Sequence, residues 1–342
     1  MYVNKSHRAV MLWLIMCAAL VASMVLVGGY TRLSGSGMSI TEWKPIHGTI
    51  PPQGDVQWQE EFEKYQKIPQ YQLINKGMTL AEFKHIFWPE FWHRILGRLV
   101  GIVLLVPLII FATTSTITKR FSLRMLGISA LVGAQGFMGW YMVSSGLSEN
   151  THVSHLRLAA HLSLALLVFA TILWAILDVI QNKPAQATCN KKLITYCGWF
   201  FLLCMQIIYG ALMAGLHAGL LYNTYPDMDG MWLPPELLAQ FPWWSNLFEN
   251  HTAVQFIHRT LAVLLIFGFS SWWFFNQKWV TTERLNRLCI SVAGVIAVQF
   301  TLGVLTLINA VPLHLALTHQ MVALVLFGVS VVLLYKVKKS CR

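Results

Sequence analysis

Glu90-Phe91-Trp92-His93-Arg94 and Gln255-Phe256-Ile257-His258-Arg259 are two versions of one motif, and each stands at the start of a long apolar run. A second pair follows at similar spacing, Ala160-His161-Leu162 and Thr318-His319-Gln320. Ahead of it, Ala134-Gln135 with Gly139 matches Val298-Gln299 with Gly303. Upstream of the first motif, Gly48 and Pro51-Pro52 match Gly230 and Pro234-Pro235. The matches keep one order, so the chain reads as a duplicated and fused unit.

Working outward, apolar runs suited to crossing a bilayer occupy roughly 9–29, 92–113, 122–143, 154–179, 193–216, 253–275, 287–309 and 314–335. Of the 342 residues, 56% are hydrophobic and only 11% are charged, which excludes a soluble globular domain of ordinary composition. The fold class expected is an all-α polytopic membrane protein of eight transmembrane helices. Residues 1–180 and 181–342 form its halves, two pseudo-symmetric four-helix bundles of equal orientation.

The formal charge of +11 does not indicate nucleic acid, because the basic residues form small groups at the ends of apolar runs rather than one stripe. Lys5 and Arg8; Lys119, Arg120 and Arg124; Lys183, Lys191 and Lys192; Lys278, Arg284 and Arg287; and Lys336, Lys338, Lys339 and Arg342 all fall on one side of the topology. Excess Lys and Arg marks the cytoplasmic side, so both termini are expected there. The first run is long enough to remain as a span rather than leave as a signal peptide. No Arg-rich, Ser-rich leader precedes it, which favours a bacterial plasma (inner) membrane. Cys17, Cys189, Cys197, Cys204, Cys289 and Cys341 all lie outside the expected outer loops, so no disulfide framework is expected. Two outer loops are long, 30–91 and 217–252. Aromatic residues at their ends, such as Trp88, Trp92, Trp243 and Trp244, mark the membrane interface.

Twelve histidines are present, and those in tails and loops read as interfacial. His93, His161, His258 and His319 instead lie one to two turns inside the outer ends of the second, fourth, sixth and eighth spans. An imidazole there is costly without a partner. Two imidazoles at matched depth on opposing helices suit axial ligation of a haem iron, and the arrangement occurs twice. Neither half offers the His and carboxylate spacing of a zinc or di-iron site. His155 and His314 are nearer the surface and read as interfacial. Arg32, Arg94, Arg157 and Arg259 lie near the outer rim, where a guanidinium pairs equally well with a haem propionate or a lipid phosphate.

The halves differ at two aligned positions. Glu90 faces Gln255 three residues before each first His, and Arg98 faces Val263. The first pair therefore keeps ionisable neighbours that the second lacks, which points to chemistry at the first and electron storage at the second. A carboxylate just after Pro89 also suits a helix N-terminus.

Together, Gly28-Gly29-Tyr30-Thr31-Arg32-Leu33-Ser34-Gly35-Ser36-Gly37, Glu90-x-x-His93-Arg94 with Gly97-Arg98, and the paired histidines resemble the haem A synthase family over nearly the whole chain. Thr41-Glu42-Trp43-Lys44-Pro45 and Phe87-Trp88 are similar to its alphaproteobacterial and mitochondrial branch. A cysteine pair found in the first outer loop of some bacterial members is absent, so no thiol step is implied. The resemblance implies oxidation of the C8 methyl of haem O to a formyl group by successive hydroxylations, giving haem A for terminal oxidases. It further implies that His93 and His161 hold the substrate haem, that His258 and His319 hold a haem b, and that Glu90 is the catalytic acid. Arg94, Arg98 and Arg259, with Arg32 and Arg157, would contact the haem rims. Haem O synthase and the terminal oxidase assembly are the implied partners, with an electron donor of unknown identity, and a homo-oligomer is compatible with the sequence. A b-type cytochrome that only passes electrons, or a haem carrier for oxidase assembly, shares the bis-His pattern. Only the enzyme changes the mass of the bound ring.

Overall fold

The computed structural model describes residue 3 and residues 7–43, 47–148, 150–181, 191–278, 280 and 283–339. Cys189, Cys341, Lys5, Lys183 and the Lys44-Pro45 pair lie outside these residues. Eight described helices are long and apolar enough to cross a membrane: α1 (His7–Leu33), α4 (Leu80–Thr113), α5 (Lys119–Ser144), α6 (His155–Gln181), α7 (Lys191–Gly215), α8 (His251–Phe275), α9 (Glu283–Ile308) and α10 (Leu313–Lys339). Two shorter helices, α2 (Gly54–Gln66) and α3 (Pro69–Leu73), lie in the first long loop. Among the described residues there are no strands beyond isolated bridges. The chain is thus an all-α, multi-pass membrane protein.

In the first half α1 packs on α4 and α6, and α5 packs on the same two helices. In the second half α7 packs on α8 and α10, and so does α9. The helices in each of the pairs α4/α6 and α8/α10 therefore stand diagonally, with a helix on either side of the gap between them. The seam joining the halves consists of α1 against α10, α6 against α7, and α6 against α10. Exchanging the halves maps this set of contacts onto itself, which is compatible with an axis along the membrane normal.

Apolar packing fills the inner part of each bundle. Trp13, Leu104, Phe121, Met125 and Ile172 centre one cluster, and Tyr196, Trp199, Phe269 and Val292 centre the other. Val25, Leu166, Leu324, Phe327 and Val331 fill the seam. Polar contacts cross it as well. Tyr335 on α10 donates to Asp178 Oδ1 on α6 at 2.8 Å, while Arg124 on α5, in the same half as Asp178, donates to Oδ2 at 2.6 Å. At the outer end His155 Nε2 lies 3.1 Å from Glu249.

One boundary differs from the sequence expectation. The second span begins not near 92 but at Leu80, so that His93 lies more than three turns into its helix. A capping box starts it: Thr79 Oγ1 accepts from Glu82 N–H, and Glu82 Oε2 accepts from Thr79 N–H at 2.8 Å. The added turns bury Phe83, Phe87 and Phe91 against Trp58, Phe62 and Tyr65, a small core that fastens the first outer loop. α8, by contrast, starts at His251 behind the cap of Asn250. Hydropathy marks where a helix enters the bilayer and is blind to its continuation outside.

Asp178 is buried and both its oxygens are engaged, Oδ2 within its own half and Oδ1 across the seam. Asp178→Asn is expected to lower the unfolding free energy in detergent by on the order of 2 kcal/mol, because a charged hydrogen bond to Arg124 is lost. Thermal unfolding of purified protein, followed by the light scattering of aggregates, checks this.

Candidate functional site

Each of the four histidines meets a glycine on a neighbouring helix. A Cβ on Gly139 would lie 3.1 Å from His161 Cε1, one on Gly210 3.2 Å from His258 Cε1, and one on Gly303 2.9 Å from His319 Cε1. In the fourth case the contact atom changes: a Cβ on Gly28 would lie 3.1 Å from His93 Nε2. These glycines on α1, α5, α7 and α9 let each ring approach a helix backbone more closely than a side chain there would allow.

Three rings also touch a glutamine amide one turn deeper on the glycine-bearing helix. Gln135 Nε2 lies 3.2 Å from both ring nitrogens of His161 and 3.1 Å from its carbonyl oxygen. Gln206 Nε2 lies 3.4 Å from His258 Nε2, and Gln299 Nε2 lies 3.2 Å from His319 Nε2. The amide oxygens of Gln135, Gln206 and Gln299 are buried without a hydrogen-bond partner, as are Nδ1 of His258 and of His319. Orphaned acceptors beside orphaned donors are costly in an apolar bundle.

These residues fit a haem. A metal bound at one imidazole nitrogen leaves the other as an N–H donor, and turning over the amide that touches each of three rings would bring its orphaned oxygen to accept from it. Among the described residues no cluster of three or more His, Cys, Asp or Glu side chains could hold a bare metal ion. Two imidazoles per half suit a metal that brings its own equatorial ligands, and the diagonal gap suits a flat one.

Glu90 is buried and both its oxygens are occupied. Oε2 accepts from Ser39 Oγ at 2.7 Å and from the Ile40 N–H at 2.8 Å, while Oε1 accepts from Arg94 Nη2 at 2.6 Å and Nε at 3.1 Å. Arg94 also donates to the carbonyls of Ile40 and Glu42. The pair clamps the start of the first outer loop onto α4. The second half repeats the clamp in neutral form: Gln255 donates to Tyr222 O at 2.9 Å, and Arg259 donates to the carbonyls of Tyr222, Thr224 and Asp227. Arg94 and Arg259 thus direct their guanidinium groups to loop carbonyls. Arg157 stacks 3.7 Å above the Tyr141 ring and donates to the Tyr141 carbonyl. Arg98 lies one turn deeper than Arg94 on α4 and is partly buried.

Arg32, at the end of α1, lies near His152 of a short outer loop and His217 of the second long one. The two imidazoles meet at a tilt with ring centroids 4.6 Å apart, and both feel its charge. Partial burial, then Arg32, lowers the pKa of each, that of His217 to about 4. His314 at the start of α10 is exposed.

Sequence reading singled out the four histidines, Glu90 and the arginines. It used Gln135, Gly139, Gln299 and Gly303 only as anchors of the repeat and Gly28 only as part of the family stretch, and passed over Gln206 and Gly210. The signal was present as Gln-x-x-x-Gly, one helical turn apart, on three odd-numbered spans counted along the chain.

The family model described as cytochrome oxidase assembly protein matches residues 11–331. A heme A synthase of Nitrosomonas eutropha is 45% identical over 329 residues, 95% of this chain and 92% of that protein. Heme A synthases of Brucella ovis and of Brucella abortus are each 46% identical over 333 residues, 96% of this chain and 91% of theirs.

Two outcomes follow. Gly303→Val should displace the His319 imidazole and remove about half of the haem from the purified protein, as read by pyridine haemochrome against protein concentration. His217 has its pKa held below the ordinary 6.5, so the unfolded chain binds the extra proton more readily. Its contribution to stability is complete above pH 6.5 and is lost as pH falls toward 4. His217→Asn, which tolerates the left-handed backbone at this position (φ 54°), should flatten the loss of thermal stability across that window.

Proposed function

The chain belongs to the cytochrome oxidase assembly family that includes the haem A synthases, and from that premise we propose that it converts haem O to haem A within the membrane. His93 and His161 hold the substrate haem, and His258 and His319 hold a resident haem b. The observation that carries this reading is the pair of diagonal gaps, each flanked by two histidines backed by glycine, with unpaired glutamine oxygens beside three of the rings.

A haem b held by His258 and His319 would supply electrons to the first site. The protein's own residues orient, exclude water and place charge. Glu90 and Arg94 pin Ser39 and Ile40 against α4 about one turn outward of His93, where this loop segment would shield the first site from the aqueous side. The carboxylate lies on the α4 face that carries His93, one turn away, and provides a fixed negative charge toward which positive charge on the reacting methyl can develop. Its hydrogen bonds to Ser39 Oγ and Arg94 hold it in place. In the second half Gln255 occupies this position, and a site that only relays electrons needs no such charge.

The setting is a bacterial plasma membrane with both termini cytoplasmic, so that the four histidines lie toward the outer face. The product serves terminal oxidase assembly, with haem O delivered by the enzyme that attaches the isoprenoid tail. That tail is as apolar as lipid and enters between helices.

Glu90→Gln keeps one oxygen acceptor and replaces the other by an NH2 group facing donors, so haem content is measured beside the product as a check on the fold. The variant is expected to keep both haems and to abolish formation of the formyl ring. Extraction of haems from membranes supplied with haem O, followed by mass measurement, reads this directly: normal accumulation of haem A would refute a catalytic role for Glu90.

A further inference from the structure

Four helices lay a glycine against a histidine, and the residue one turn deeper, four positions earlier, is Gln135, Gln206 or Gln299 in three of them. In the fourth, α1, it is Met24. Met24 lies against α4 one turn below His93, since a Cβ on Gly97 would lie 3.5 Å from its Cε. Its thioether occupies the place of the amide, and thioether sulfur is only a weak acceptor. A second observation separates the same ring from the rest. His161, His258 and His319 turn Cε1 toward their glycines, whereas His93 turns Nε2.

We propose that His93 is the exchangeable ligand, the one of the four whose bond to iron opens to admit a small molecule, and that Met24 makes it so. The proposal rests on the reading that the histidine pairs hold haem. An iron held by two imidazoles has no vacant position, so any incoming ligand must displace one of them. An acceptor at the distal ring nitrogen raises the basicity of a histidine ligand and fixes the orientation of its ring. The Gln135 amide lies at the His161 ring nitrogens, held to α6 by its bond to the His161 carbonyl, and once turned over it brings its unpaired oxygen to accept from the ring N–H. Gln206 and Gln299 give the same acceptor to both ligands of the second site, which stays closed. His93 alone lacks it, and among the described contacts its ring makes no hydrogen bond. The first site is therefore built with one firm ligand and one loose one.

Carbon monoxide binding to the dithionite-reduced holoprotein tests this, with haem content measured in parallel. Wild type is expected to bind it at one of its two haems, and to keep doing so in His258→Ala, where only the first haem remains. Met24→Gln should weaken binding by about ten-fold, the lower end of effects seen when such partners of metal ligands change. Gln206→Met should make the second haem reactive. The proposal is overturned if wild type binds no carbon monoxide. It is equally overturned if Met24→Gln keeps its haem and binds as wild type does, or if Gln206→Met leaves the second haem inert. Should Met24→Gln lose its haem, the Gln206→Met result decides. If His93→Ala and His258→Ala each retain full haem, the ligand assignment itself falls, and exchange at His93 with it.

Discussion

An imidazole inside an apolar helix bundle must find partners for two nitrogens, and helix backbones offer none because their own groups are already bonded. The structure answers this demand in part, with one recurring arrangement. A glycine lets the ring approach closely, and on three helices a glutamine one turn deeper touches its edge. The device works only if the helix bearing each histidine stands diagonally from its partner and beside a helix that supplies the glycine. The order of packing in each half follows from that. The amide oxygens and ring nitrogens left over describe what else the gap receives: something flat that binds nitrogen at its centre.

Around this core the remaining polar contacts hold the parts in register. Glu90 with Arg94, and Gln255 with Arg259, tie each long loop to the helix that bears the first histidine of its half. Asp178 and the His155–Glu249 pair join the halves at opposite ends of the seam. The clamp at Glu90 shows how one side chain serves two demands. As a structural group it could be neutral, as Gln255 is. Its charge is the part that the loop does not require, and so the part that a reaction can use.

Much of this was legible in the sequence. Eight apolar runs, the one-sided basic groups and the repeat around His93 and His258 suffice for the helical membrane fold. Less legible was the outer extension of α4, since Thr79, Glu82 and the polar face of Gly54–Gln66 read as loop to any hydropathy window. Contacts of Glu90 with Ser39 and of Arg94 with Glu42 join residues some fifty positions apart through an irregular loop, which no periodicity reveals. The arginines read as rim groups because their charge is visible in sequence, while the carbonyls that take their hydrogen bonds are not. The glutamines lay in plain view, but the meaning of Gln-x-x-x-Gly depends on which helix lies opposite.

Gly28 and Gly29 are neighbours on α1 and look in different directions. Gly28 faces His93, whereas Gly29 faces the side chain of Gln320, which follows His319 and donates to the Val25 carbonyl. Helix α1 is therefore wedged between the two sites with no side chain on either flank to absorb a shift. Sliding or turning it to loosen one site moves a wall of the other. Substitutions along α1 should thus act on both sites at once, and the two halves, though descended from one unit, are no longer free to diverge separately along this helix.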